Sequence, residues 1–118
     1  MEFTVKDRIL LLNEVLPQFD SMSGIVTKMS IAEKLKLSDE ENGGIVCKRL
    51  PTGVMEVGFK DVEGSLLNKE IELTDEELYY VKKRVRMIDS NGMISADNIA
   101  TYQKVLDEPY ADEGYLET

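Results

Sequence analysis

Three features of the chain predict an α+β fold. Apolar residues recur at helical spacing toward both ends, apolar and polar residues alternate through the middle, and glycine, proline and asparagine punctuate the boundaries. The expected architecture is an N-terminal helix pair, a small antiparallel sheet of two to three strands, and a C-terminal helical hairpin. With 118 residues the chain has the length of one domain. That domain is expected over residues 1–107, with 108–118 as an acidic, flexible tail.

Thr4 and Asp7 have the spacing of a capping box, with Phe3 where a hydrophobic staple would sit. Val5, Ile9, Leu12 and Leu16 then repeat at helical spacing. Pro17 cannot continue a helix and disfavours helical geometry at Leu16, so the first helix is expected over 5–16. Ser23 is the expected cap of a second helix over 24–36, with Ile25, Met29, Ala32 and Leu35 on its buried side. Ser38 with Asp39, Glu40 and Glu41 starts another turn, which Gly43 and Gly44 cut short.

The middle of the chain has a different texture. Residues 45–50 read as a strand, Pro51, Thr52 and Gly53 as a turn, and 54–62 as the partner strand, in which Met55, Val57 and Phe59 alternate with Glu56, Gly58 and Lys60. After Gly64 and Ser65, residues 69–73 offer a third strand with Ile71 and Leu73 facing inward. Thr74 and Glu77 form the clearest capping box in the chain, and acids in that first turn suit the helix dipole. Leu78, Val81, Val85 and Ile88 make the buried stripe of a helix running to Asp89. Asn91 and Gly92 break it, and Ser95 caps a fourth helix whose buried stripe is Ile99, Tyr102 and Leu106.

The charge is lopsided: 23 acids against 14 bases give a net charge of −9. A chain so charged lacks the basic face that binding to phosphate backbones or anionic lipid requires. No apolar run reaches the roughly 20 residues of a membrane span, and the single Cys47 excludes an internal disulfide. A cytoplasmic setting is expected, with no membrane partner.

Several segments resemble sites and fail at the positions their chemistry needs. Around Asp89, Asn91, Gly92 and Ser95 the chain looks like a calcium loop. Its first ligand position would be Met87 and its last Asn98, so two carboxylates are missing. Residues 31–38 resemble the first helix and turn of a helix-turn-helix repressor, but Asp39, Glu40 and Glu41 stand where bases should meet phosphates. Lys82, Lys83, Arg84 and Arg86 read as a solvated helix face near the end favoured by cations. Without histidine the commonest general base and metal ligand is absent. Cys47, in a strand between Val46 and Lys48, reads as a buried structural residue. No phosphate loop, dinucleotide fingerprint or metal-ligand spacing occurs, so no catalytic residue, metal or cofactor is expected.

Surface residues remain. Tyr79, Tyr80, Tyr110 and Tyr115, with Met22, Met87 and Met93, include residues outside the best core stripes; tyrosine and methionine are enriched at protein interfaces, and the tyrosines stand out among them. They are the candidate partner-binding residues. The expected function is non-enzymatic: binding another protein or a second copy of the chain. The alternatives are an acidic mimic of nucleic acid that blocks a host enzyme, and a degenerate helix-turn-helix DNA binder.

Arg8-Ile9-Leu10-Leu11-Leu12 closing on Leu16-Pro17, Leu37-Ser38-x-Glu40-Glu41, the short sheet, Leu73-Thr74-x-x-Glu77 and the terminal hairpin together resemble small uncharacterised proteins of tailed bacteriophages and prophages, over residues 4–107. The resemblance implies a phage origin and a host-cytoplasm setting. It carries no functional residues with it.

Overall fold

The structure, a computed structural model, describes residues 1–38, 45–49, 51, 55–59 and 68–115. Its elements in order are β1 (Glu2–Thr4), α1 (Val5–Leu10), a π-helical segment (Leu11–Val15), α2 (Met22–Leu35), β2 (Ile45–Arg49), β3 (Met55–Phe59), β4 (Asn68–Glu70), α3 (Asp75–Ser90) and α4 (Ile99–Asp107). The fold is α+β, as expected. The turn expected at residues 38–44 and the environment of the Cys47 thiol lie outside the described residues.

The sheet is two separate antiparallel ribbons. β2 and β3 form the expected hairpin, with Ile45 opposite Phe59 and Arg49 opposite Met55. The third strand does not join them. It runs over Asn68–Glu70 and pairs with β1, Glu2 lying opposite Glu70 and Thr4 opposite Asn68. Ile71 extends this ribbon by donating its N–H to the Met1 carbonyl at 2.8 Å. β1 is too short to show a strand period, and its Phe3 is a fully buried core residue rather than a staple on the helix surface.

Both capping boxes form. Asp7 N–H donates to Thr4 Oγ1 and Thr4 N–H to the Asp7 carboxylate, each at 3.0 Å. Thr74 and Glu77 do the same at the start of α3. The first helix does not stay α-helical to residue 16. From Leu11 its turns widen, and Leu16 N–H reaches back to the Leu11 carbonyl. The segment ends at Leu16 in extended geometry, which Pro17 demands of its predecessor. The wider turn sets Leu11, Val15 and Leu16 into the core and leaves Leu12 at its edge.

α2 starts earlier than expected. Its cap is Ser21, which accepts from Gly24 N–H at 3.1 Å, not Ser23. Its buried residues are Ile31 and Leu35, and Met29, expected inside, is exposed. In α4 the buried stripe is Thr101, Tyr102 and Val105, one residue away from the expected Ile99, Tyr102 and Leu106. The shift follows from Thr101, whose hydroxyl has a buried partner in α1. Ser95 and Asn98 exchange side-chain-to-backbone hydrogen bonds, so Ser95 does cap the turn leading into α4. Lys82, midway along α3, reaches carbonyls at the end of α4, and Asp75 at the start of α3 accepts from Ala111 and Asp112 N–H just beyond it, so the two helices are antiparallel.

A single apolar cluster joins these parts: Phe3 from β1, Leu11 and Val15 from the π-helical segment, Ile31 and Leu35 from α2, Ile71, Val81 and Val85 near and in α3, and Tyr102 and Val105 from α4. α3 ends in a Schellman motif: Met93 N–H donates to the Ile88 carbonyl and Gly92 N–H to that of Asp89. Gly92 has φ of 69°, the only positive φ among the described residues. A Cβ there would meet no atom within 4 Å, so a side chain costs backbone strain alone. Gly92→Ala should therefore lower stability by about 1–2 kcal/mol in urea unfolding, and Gly92→Asn by less.

Candidate functional site

Among the buried polar groups, which include Arg8, Lys82, Asn98 and Thr101, are the two capping-box acids, Asp7 and Glu77. Each does more than cap. Asp7 also accepts from Thr101 Oγ1 and Lys104 Nζ of α4, both at 2.5 Å. Glu77 also accepts from Ser30 Oγ at 2.6 Å and Lys34 Nζ at 2.5 Å, both on α2. Burial pushes each carboxyl up. The lysine, hydroxyl and backbone donors together outweigh that, and hold both below the usual carboxylate range. All these donors come from the protein itself, the arrangement of a structural tie. Glu14 serves a similar purpose, accepting from the Tyr102 hydroxyl at 2.9 Å. Burial, then that bond, pushes the Tyr102 phenol well above its ordinary value.

Three of the four candidate tyrosines come together. Tyr110 and Tyr115 lie with ring centroids 4.6 Å apart, and Tyr79 is 6.3 Å from Tyr115. Tyr80 points elsewhere and donates to the Asp20 carboxylate at 2.6 Å. Burial and that carboxylate push its phenol up to about 12. Lys82 belongs to the tyrosine cluster and corrects the reading of the basic run as a solvated face. It is 5% exposed, donates to the carbonyls of Leu106 and Glu108, and lies 4.6 Å from the Tyr110 ring centroid. Arg84 Nε likewise turns inward to the Val15 carbonyl at 3.3 Å, whereas Lys83 stays exposed. From Glu108 the chain turns back over the start of α3, where the Asp75 carboxylate accepts from Ala111 and Asp112 N–H at 2.7 and 3.0 Å. The tyrosines are half-buried and packed on one another, so they present little open apolar surface.

The segment that resembled a calcium loop is a helix corner. Residues 89–95 hold the Schellman turn, and no cluster of metal-ligating side chains occurs among the described residues. In the repressor-like segment Ile31 and Leu35 point into the core, and the turn and second helix it would need fall on residues 39–44, outside the described residues.

Of the seven large apolar side chains exposed among the described residues, four are on α2 and the connector before it. Phe19 is 83% exposed, Met22 87%, Val26 63% and Met29 63%. Met22, Val26 and Met29 are spaced i, i+4 and i+7, one ridge on the side of α2 away from Ile31 and Leu35. Beside the ridge runs a groove of about 510 Å³, with Leu12, Met29 and Ala32 in it and Lys28, Glu33 and Lys36 along it. Residue spacing sets Met22 outside the core stripes, as it is, but assigns Met29 to the core, so the ridge does not stand out as one face. A signal was present, since α2 carries two apolar stripes and a core-facing helix needs one.

No family model, curated protein or solved structure matches this chain. Among the described residues no helix is long and apolar enough to cross a membrane.

The carboxylate ties make a pH prediction. Both folded-state values lie below the ordinary 3.8 and 4.5, so the stability these groups contribute is complete above that range and is lost as pH falls through it. Thermal melts from pH 7 to pH 3 should show a steep fall in Tm below pH 4.5. Glu77→Gln should cost about 1–2 kcal/mol at pH 7 and flatten that fall.

Proposed function

We propose that this chain is a non-enzymatic interaction protein, binding another protein or itself, and that the outer face of α2 is where it docks. One observation carries the reading: Met22, Val26 and Met29 stand in a row on a helix whose opposite side is already buried, with Phe19 exposed in the connector before it, and each of the four is more than half exposed. Isolated exposed apolar residues are ordinary, but a contiguous ridge beside an apolar groove is the mark of a contact surface. The resemblance to small phage proteins supports a phage-encoded origin and a host-cytoplasm setting. The acidic-mimic reading has less support. Asp7, Glu14, Asp20, Glu77 and Asp112 accept hydrogen bonds from the chain's own backbone and side chains, whereas mimicry needs a presented row of carboxylates.

A photo-reactive residue at Val26, in cells that make the protein, should give covalent adducts on illumination. The same residue at Gln103, an exposed position on α4, should give few. Equal labelling at both positions, or none at Val26, overturns the reading of α2 as the docking face.

A further inference from the structure

We propose that the occupant of the α2 face is a second copy of this chain, packed antiparallel across a two-fold axis that passes beside Ile25 and Val26. The inference rests on reading the α2 face as a contact surface, and adds its partner. Two independent features of the face select self-association.

The first is register. A two-fold axis maps each residue onto one equally far on the other side of it, so a self-complementary surface must carry its knobs and holes in matched positions. Here Met22 and Met29 are equidistant from the midpoint between Ile25 and Val26. One axis therefore seats Met22 on Met29 of the other copy and brings the two Val26 side chains together near the centre.

The second is charge. The chain carries −9, and two copies repel through most of their surface. Residues 17–37 are the exception: apart from Lys34, which is tied to Glu77, they hold two lysines against two acids and are neutral, so the excess acid lies elsewhere in the chain. Under the proposed axis Lys28 falls opposite Ser23 and Glu33 opposite Gln18, so no like charges meet face to face. The face on which two copies approach at least electrostatic cost is thus the face with the apolar ridge.

The size of the surface sets the strength expected. Four side chains of this exposure, contributed twice, bury about 1,000 Å² in total, below the standard size of a permanent interface. The dimer should be reversible, with salt raising its affinity by screening the net charge.

Sedimentation of the full chain tests this. The apparent mass should rise with concentration from 13.4 kDa toward twice that value, more readily at high salt. Val26→Glu, at an exposed position that leaves the core untouched, should weaken association at least tenfold without changing the melting temperature. Phe19→Ser should weaken it by less. In a Cys47→Ser background, Val26→Cys should oxidise to a covalent dimer. Met22→Cys alone should not, because the axis separates the two copies of residue 22 by about seven residues of helix, beyond disulfide reach. Met22→Cys combined with Met29→Cys should cross-link. A chain that stays monomeric at every concentration and salt overturns the proposal, as does a dimer indifferent to Val26→Glu. If the photo-adducts at Val26 contain only other proteins, the second copy is excluded while α2 stands as the docking face. If Val26 gives no adducts, the docking face falls as well.

Discussion

Two carboxylates, Asp7 and Glu77, hold the arrangement of helices. Each begins as a local device, the third residue of a capping box, which any isolated helix can use. In this fold each is shared with a second helix. Asp7 joins the start of α1 to Thr101 and Lys104 on α4, and Glu77 joins the start of α3 to Ser30 and Lys34 on α2. The same atoms that satisfy orphan backbone donors thus fix which helix lies against which. A buried acid with fewer donors would be costly, because desolvation opposes its charge. With backbone, hydroxyl and ammonium donors converging on each, the charge is kept and a direction is specified that apolar packing alone leaves loose. Around these ties the apolar cluster from Phe3 to Val105 closes.

How much of this could be read in the residues depended on how local each signal was. The capping boxes at Thr4 and Thr74, the stop at Pro17, the β2–β3 hairpin and the Asn91–Gly92 break all rest on neighbours within four or five positions, and all are present. Features set by distant partners were misread. The strand near residue 69 pairs with β1, more than sixty residues earlier, and three residues of β1 carry no period to reveal it. The stripe of α4 is rotated by Thr101, a residue whose burial makes sense only once Asp7 lies beside it. Lys82 looked like one more solvated cation, and its carbonyl partners are on another helix.

The candidate contact surface follows the same division. Tyrosine is a sound compositional guide to interfaces, yet three of the four tyrosines pack on one another and on Lys82, while Tyr80 is tied to Asp20. The open apolar surface lies instead on α2, where helical spacing alone could not say which of two stripes faces inward. Glu77 decides it: by taking Ser30 and Lys34 it turns Ile31 and Leu35 toward the core, and Met22, Val26 and Met29 necessarily point away. The exposed ridge is a consequence of the tie.

The tie at Asp7 has a further consequence for the order in which the molecule is made. Asp7 precedes Thr101 by 94 residues and Lys104 by 97. At ordinary translation speeds of about 5–20 residues per second, the donors that neutralise it emerge roughly 5–20 s after it does. For that interval α1 and β1 have neither α4 nor β4 to lie against, and Phe3, Ile9 and Leu11 remain uncovered on the growing chain. A protein whose first helix is completed by its last cannot fold from the front as it is synthesised. Its earliest residues wait for its latest, and nascent-chain chaperones have seconds in which to find them.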